Sequence, residues 1–68
     1  MKNKTTANLR RLVRETQINL YRLHLAVEDE SVRESGAERD SYNRDLGLLD
    51  SVSITLDAYD RVLYGRGN

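Results

Sequence analysis

The chain has no cysteine, no proline, no tryptophan and no phenylalanine, and His24 is its only histidine. Without cysteine it can form neither a disulfide nor a thiolate metal site, and one imidazole cannot build the nitrogen and sulfur cage that zinc prefers. Without proline, nothing interrupts long helices. No apolar run reaches the length of a membrane span or a secretory signal, and Lys2, Asn3, Lys4 and Thr5 follow Met1, so a cytoplasmic location is expected. Nucleophile elbows, phosphate-binding glycine loops and paired catalytic carboxylates are also missing. The expectation is a protein that is not an enzyme and uses no cofactor and no metal. Eleven basic residues balance eleven acidic ones, which argues against a long nucleic-acid track.

What is present is helix-forming sequence. Leu, Arg, Glu and Ala abound, and glycine is confined to positions 36, 47, 65 and 67. Residues 1–68 are too few for more than a single domain, and a chain this short buries only about 60% of its unfolded surface. With disulfides and zinc set aside, oligomerisation is the expected support.

Apolar residues recur at spacings of three and four. Leu9, Val13, Thr16, Leu20, Leu23, Val27 and Glu30 form one heptad seam. Tyr42, Asp45, Leu49, Val52, Leu56, Tyr59 and Leu63 form a second. The polar stretch ESVRESGAERDS between them holds Gly36 and reads as a turn. The fold class is therefore all-α, an antiparallel two-helix hairpin with helix 1 at about 6–33 and helix 2 at about 36–64, assembling into a homo-oligomeric coiled-coil bundle or ring.

Two capping boxes compete for the start of helix 2, Ser31 with Glu34 and Ser35 with Glu38. Pairing Val27 with Tyr42, Leu20 with Leu49 and Val13 with Leu56 gives a constant sum of 69, and the other seam positions give 68. The turn then centres on residues 34 to 35, which selects Ser35. Thr5 or Thr6 is expected to cap helix 1. Thr16 can return its hydroxyl to a carbonyl of its own helix, and Asp45 can reach water, Arg44 or Arg22.

Outside the seams, Ile18, Tyr21, Leu25 and Val32 form a stripe on nearly the opposite side of helix 1, and Gly47, Ser51, Ile54 and Ala58 make a smooth strip on helix 2. Two helices cannot bury both sides of each. The predicted oligomer interface is thus Ile18, Tyr21, Leu25, Val32, Gly47, Ile54 and Ala58. Tyr42 and Tyr59 are expected in the core, and Tyr21 and Tyr64 outside it. His24 flanks the seam and has no cysteine to act with. Glu28, Asp29 and Glu30 fan around the helix instead of converging on a cation.

Charge is unevenly placed. Residues 1–14 carry Lys2, Lys4, Arg10, Arg11 and Arg14 and no acid, a charge of +5, while residues 28–45 carry seven acids against three arginines, a charge of −4. The hairpin has a basic open end and an acidic turn end. Neighbouring hairpins could pair these ends, or the basic end could hold an anion. Arginine forks suit phosphate oxygens and tyrosine rings stack on bases, which makes Arg10, Arg11, Arg14, Tyr21 and Arg22 the ligand-binding candidates.

In hairpin length and turn position the chain resembles the repressor-of-primer proteins of plasmid copy control, in which paired hairpins bind RNA. It is also similar in outline to phage anti-defence sponges, whose hairpins hold cyclic nucleotides between subunits. The resemblance implies a non-enzymatic homo-oligomer with a nucleotide-type or RNA ligand, and it carries over no residue roles. The alternative is a protein-interaction module, an inhibitor or assembly factor docking on a larger protein through the helix 1 stripe.

Overall fold

The computed structural model describes the backbone of residues 2–67 and the side chains of residues 5–66. Two uninterrupted runs of helix formers give α1 at Lys2–Arg33 and α2 at Gly36–Gly67. Only Glu34 and Ser35 lie between them, so the helices fold back as an antiparallel hairpin whose Cα atoms span 53 × 15 × 9 Å. No strand occurs among the described residues.

The turn is built from backbone chemistry. The Glu34 amide donates to the Ser31 carbonyl at 3.3 Å, closing the end of α1, and Gly36 then adopts φ of 66°. That left-handed conformation suits glycine alone without strain. Ser35 immediately precedes α2, where the register places the start of that helix. Its rival Ser31 lies inside α1, buried, and donates its hydroxyl to Asn43 Oδ1 at 2.9 Å. α1 already begins at Lys2, so neither Thr5 nor Thr6 caps it, and Thr6 is instead a buried helical residue. α2 runs unbroken through Gly47, where an added Cβ would meet nothing within 4 Å.

Burial recurs at spacings of four and three. In α1 the shielded positions are Thr6, Arg10, Val13, Gln17, Leu20, His24, Val27 and Ser31, with Leu9 half-buried beside Arg10, and in α2 they are Tyr42, Leu46, Leu49, Ser53, Leu56, Asp60 and Leu63. Leu9, Val13, Leu20, Val27, Tyr42, Leu49, Leu56 and Leu63 match the expected seams. The other alternate positions do not. Gln17, His24 and Ser31 replace Thr16, Leu23 and Glu30, while Leu46, Ser53 and Asp60 replace Asp45, Val52 and Tyr59, all six of which are exposed.

Each helix is thus turned by about 50°, one heptad position, from the orientation that apolar content alone favours. The reason is polar pairing. Turned this way, the helices join Arg10 to Asp60, Gln17 to Asp57, His24 to Asp50 and Ser31 to Asn43.

The apolar core is correspondingly thin. Among the described residues only Val13, at 6% exposure, and Leu63, at 1%, are fully buried hydrophobics. Leu63→Ala is expected to cost about 2–4 kcal/mol, and Gly36→Ala about 1 kcal/mol through strain at its positive φ. Thermal melts followed by far-ultraviolet circular dichroism should rank them in that order.

Candidate functional site

The hairpin has two broad faces, and the polar pairs separate them. Gln17 Nε2 donates to Asp57 Oδ1 at 2.7 Å, His24 Nε2 meets Asp50 Oδ1 at 3.1 Å, and Arg10 lies 5.0 Å from the centroid of the Tyr64 ring. With Ser31 and Asn43 these form four cross-helix pairs one heptad apart, and in every pair the two residue numbers sum to 74. They make a polar ladder along one edge of the seam.

Arg10 anchors the open end of this ladder. Its guanidinium donates through Nε to Asp60 Oδ1 at 3.0 Å and through Nη2 to Asp60 Oδ2 at 3.3 Å, a two-point fork whose side chains are about one quarter exposed, at 28% and 26%. The hydrogen bond to Arg10 holds the Asp60 carboxyl below its ordinary value of 3.8, against desolvation and with help from the positive charges of Arg10 and Arg14. The same bond raises the pKa of Arg10.

Three of the predicted ligand-binding residues come together. Arg10, Arg11 and Arg14, with Ala7, line a shallow depression of about 280 Å³. Two of the three are already engaged within the chain, Arg10 by Asp60 and Arg11 by Glu15 at 3.0 Å and Asn8 at 2.6 Å. Tyr21 is exposed two turns further along, on the same side of α1 as Arg14, and the exposed Arg22 lies beside it, away from the depression.

Near the turn, His24 Nδ1 meets Glu28 Oε1 at 2.8 Å, and Arg33 pairs with Asp29 at 3.0 Å and Glu30 at 3.7 Å. The acidic run is therefore occupied by its own helix, and among the described residues no three His, Cys, Asp or Glu side chains gather to hold a metal ion. Thr16 donates to the Leu12 carbonyl at 2.8 Å, as expected of a helical threonine.

The opposite broad face is apolar, and the seam assignment from sequence missed it. Leu12 and Leu23 from α1 and Leu48, Val52, Tyr59 and Val62 from α2 lie on this face, 42–67% exposed, with Leu9 half-buried at its edge. Two hollows mark it. One, of about 470 Å³, is lined by Thr5, Thr6, Leu9, Leu63 and Arg66 at the open end, and the other, of about 280 Å³, by Leu23, Val27, Asp45, Leu48 and Leu49 toward the turn. The sequence pattern places Leu9, Leu23, Val52 and Tyr59 in the seams themselves, and Leu12, Leu48 and Val62, at the next heptad position round, in no seam or stripe.

The predicted interface residues lie elsewhere on the surface. Ile18, Tyr21, Leu25, Val32 and Ile54 are exposed, as are Gly47 and Ala58, and all stand on the solvent side of their helices away from this two-helix face. Tyr64 is exposed as expected, Tyr42 is half-buried, and Tyr59 is exposed where core packing was expected.

Set against known protein families, curated proteins and solved structures, the chain finds no match. No helix among the described residues is long and apolar enough to cross a membrane.

The Arg10–Asp60 fork gives a pH signature. Because Asp60 titrates below its unfolded value of 3.8, its contribution to stability is complete above that pH and is lost as the pH falls through the folded value. Asp60→Asn is expected to melt below the parent at pH 7, with the gap closing as the pH drops below 3.8. Melting series across that range check this.

Proposed function

We propose that the protein is a non-enzymatic binding module that acts by self-association, with the assembled helical bundle as its working form. The observation that carries this reading is the open two-helix apolar face on a hairpin that fully buries only Val13 and Leu63. A pair of helices with so little interior falls short of what an independent domain needs, and exposed leucines and valines gathered from both helices on one face are rarely left to water. Covering it with further helices supplies the missing core.

The test is a mass measurement. Sedimentation velocity or native mass spectrometry is expected to give a defined multiple of the 7.8 kDa chain. Leu23→Lys combined with Val52→Lys is expected to return it to the single-chain mass. A folded parent that stays at 7.8 kDa across micromolar concentrations overturns the reading.

A second reading, that the assembly holds an anionic ligand such as a nucleotide or an RNA phosphate, is favoured by one observation, the shared depression of Arg10, Arg11 and Arg14. Arg14 is the residue to test first, because Arg10 and Arg11 are spoken for within the chain. If the site is real, Arg14→Ala weakens binding of a nucleotide at least tenfold in calorimetry and leaves the mass of the assembly unchanged. Equal affinity in parent and variant removes this reading.

A further inference from the structure

We infer that the apolar face is covered by a second copy of the chain lying antiparallel to the first, turn end over open end, with α1 packed on the partner's α1 and α2 on the partner's α2. This rests on the self-association reading above and adds the orientation and the register.

Area comes first. A broad side of the hairpin measures 53 by 15 Å between Cα atoms, about 800 Å² in projection, which is close to the roughly 800 Å² that each partner contributes to a standard specific interface. One further copy is enough to cover it.

Charge selects the orientation. A two-fold axis along the hairpin would stack acidic turn on acidic turn and basic end on basic end. An axis across the hairpin instead brings the basic open end, with +5 over residues 1–14, to the acidic turn end of the other copy, with −4 over its residues 28–45 shared between the two helices.

The pattern on the face then fixes the register. Along α1 the face reads Leu9, Leu12, Thr16, Asn19, Leu23, Ala26, two apolar residues, two polar, two apolar. Turned end for end, it matches itself: Leu12 falls opposite Leu23, Leu9 opposite Ala26, and Thr16 opposite Asn19, each pair summing to 35.

The hairpin ties α2 to this choice. Shielded residues at the same level of the two helices sum to 69 or 70, as Val13 with Leu56 and Arg10 with Asp60 do, so a sum of 35 on α1 requires about 104 on α2. At 104, Val52 meets Val52 on the axis, Tyr59 meets Asp45, and Arg66 meets Glu38. These are an apolar pair, a hydroxyl with a carboxylate, and an opposite-charge pair. α1 was matched by apolarity, and these three α2 pairs are complementary although nothing in the α1 match required it.

The absence of cysteine makes the test clean. Leu12→Cys and Leu23→Cys chains are made separately, checked for helicity and multimer mass, mixed in equal amounts and oxidised. The expected result is a covalent dimer in the mixture at least tenfold above either chain alone. Thr16→Cys mixed with Asn19→Cys, which leaves every apolar contact in place, should behave the same way if the leucine variants fail to assemble.

Cross-linking of Leu12→Cys with Tyr59→Cys in place of these pairs would mean that α1 lies on the partner's α2, and overturns the inference. A multimer in which neither α1 pair cross-links also overturns it while leaving self-association standing. A parent chain that stays at 7.8 kDa overturns both.

Discussion

Two helices meet along a single line, and every other feature of this hairpin depends on that constraint. Each 32-residue helix can shield one narrow stripe against its neighbour, whereas each carries apolar residues around most of its circumference. Whatever the stripe holds is fixed at the expense of what remains outside. Here it holds Arg10, Gln17, His24 and Ser31 from α1 in alternation with Val13, Leu20 and Val27. Half of the contact line is therefore polar.

A polar contact line gives specificity where it gives little net stability. Half-exposed ion pairs and hydrogen bonds contribute modestly, but their geometry is demanding. Four cross-helix pairs, all with residue numbers summing to 74, agree on one register, and a slip by one turn would separate all of them at once. The Arg10–Asp60 fork adds a two-point contact at the open end, far from the turn that holds the other end together. Polar residues at core positions of coiled coils fix register at some loss of stability, and this ladder has the same form. The loss falls on leucines and valines that turn outward to the apolar face.

The existence of two helices, their turn and their antiparallel pairing were legible in the sequence because they depend on strong local signals: missing proline, Gly36, and apolar residues at heptad spacing. Val13, Leu20, Val27, Leu49, Leu56 and Leu63 keep their places, since they belong to either orientation of the helices. The rotation was not legible. Leu23 and His24 are adjacent, and apolarity alone favours burying the leucine. Only the partner across the gap, Asp50 for His24 and Asp60 for Arg10, reverses that choice, and it comes from residues 26 and 50 positions away. The arginine cluster was legible as charge, but its engagement was not: Glu15 and Asn8 could be read as neighbours of Arg11 at helical spacing, whereas Asp60 as the partner of Arg10 required the three-dimensional register.

The division between the two faces bears on what the basic end can do. An arginine that holds the fold together is poorly placed to bind a ligand, because a ligand must compete with Asp60 for the same guanidinium and weakens the hairpin as it does so. Arg10 is in that position, stacked on Tyr64 and forked to Asp60. Its charge is neutralised locally by Asp60, so it acts on its surroundings as half of an ion pair more than as a free cation. Arg14 lends positive charge to Asp60 and makes no side-chain hydrogen bond among the described residues. Any anion at the open end would therefore be held by a minority of the basic residues that mark that end in the sequence, and the rest of the charge is left to act at longer range, on the approach and orientation of another hairpin.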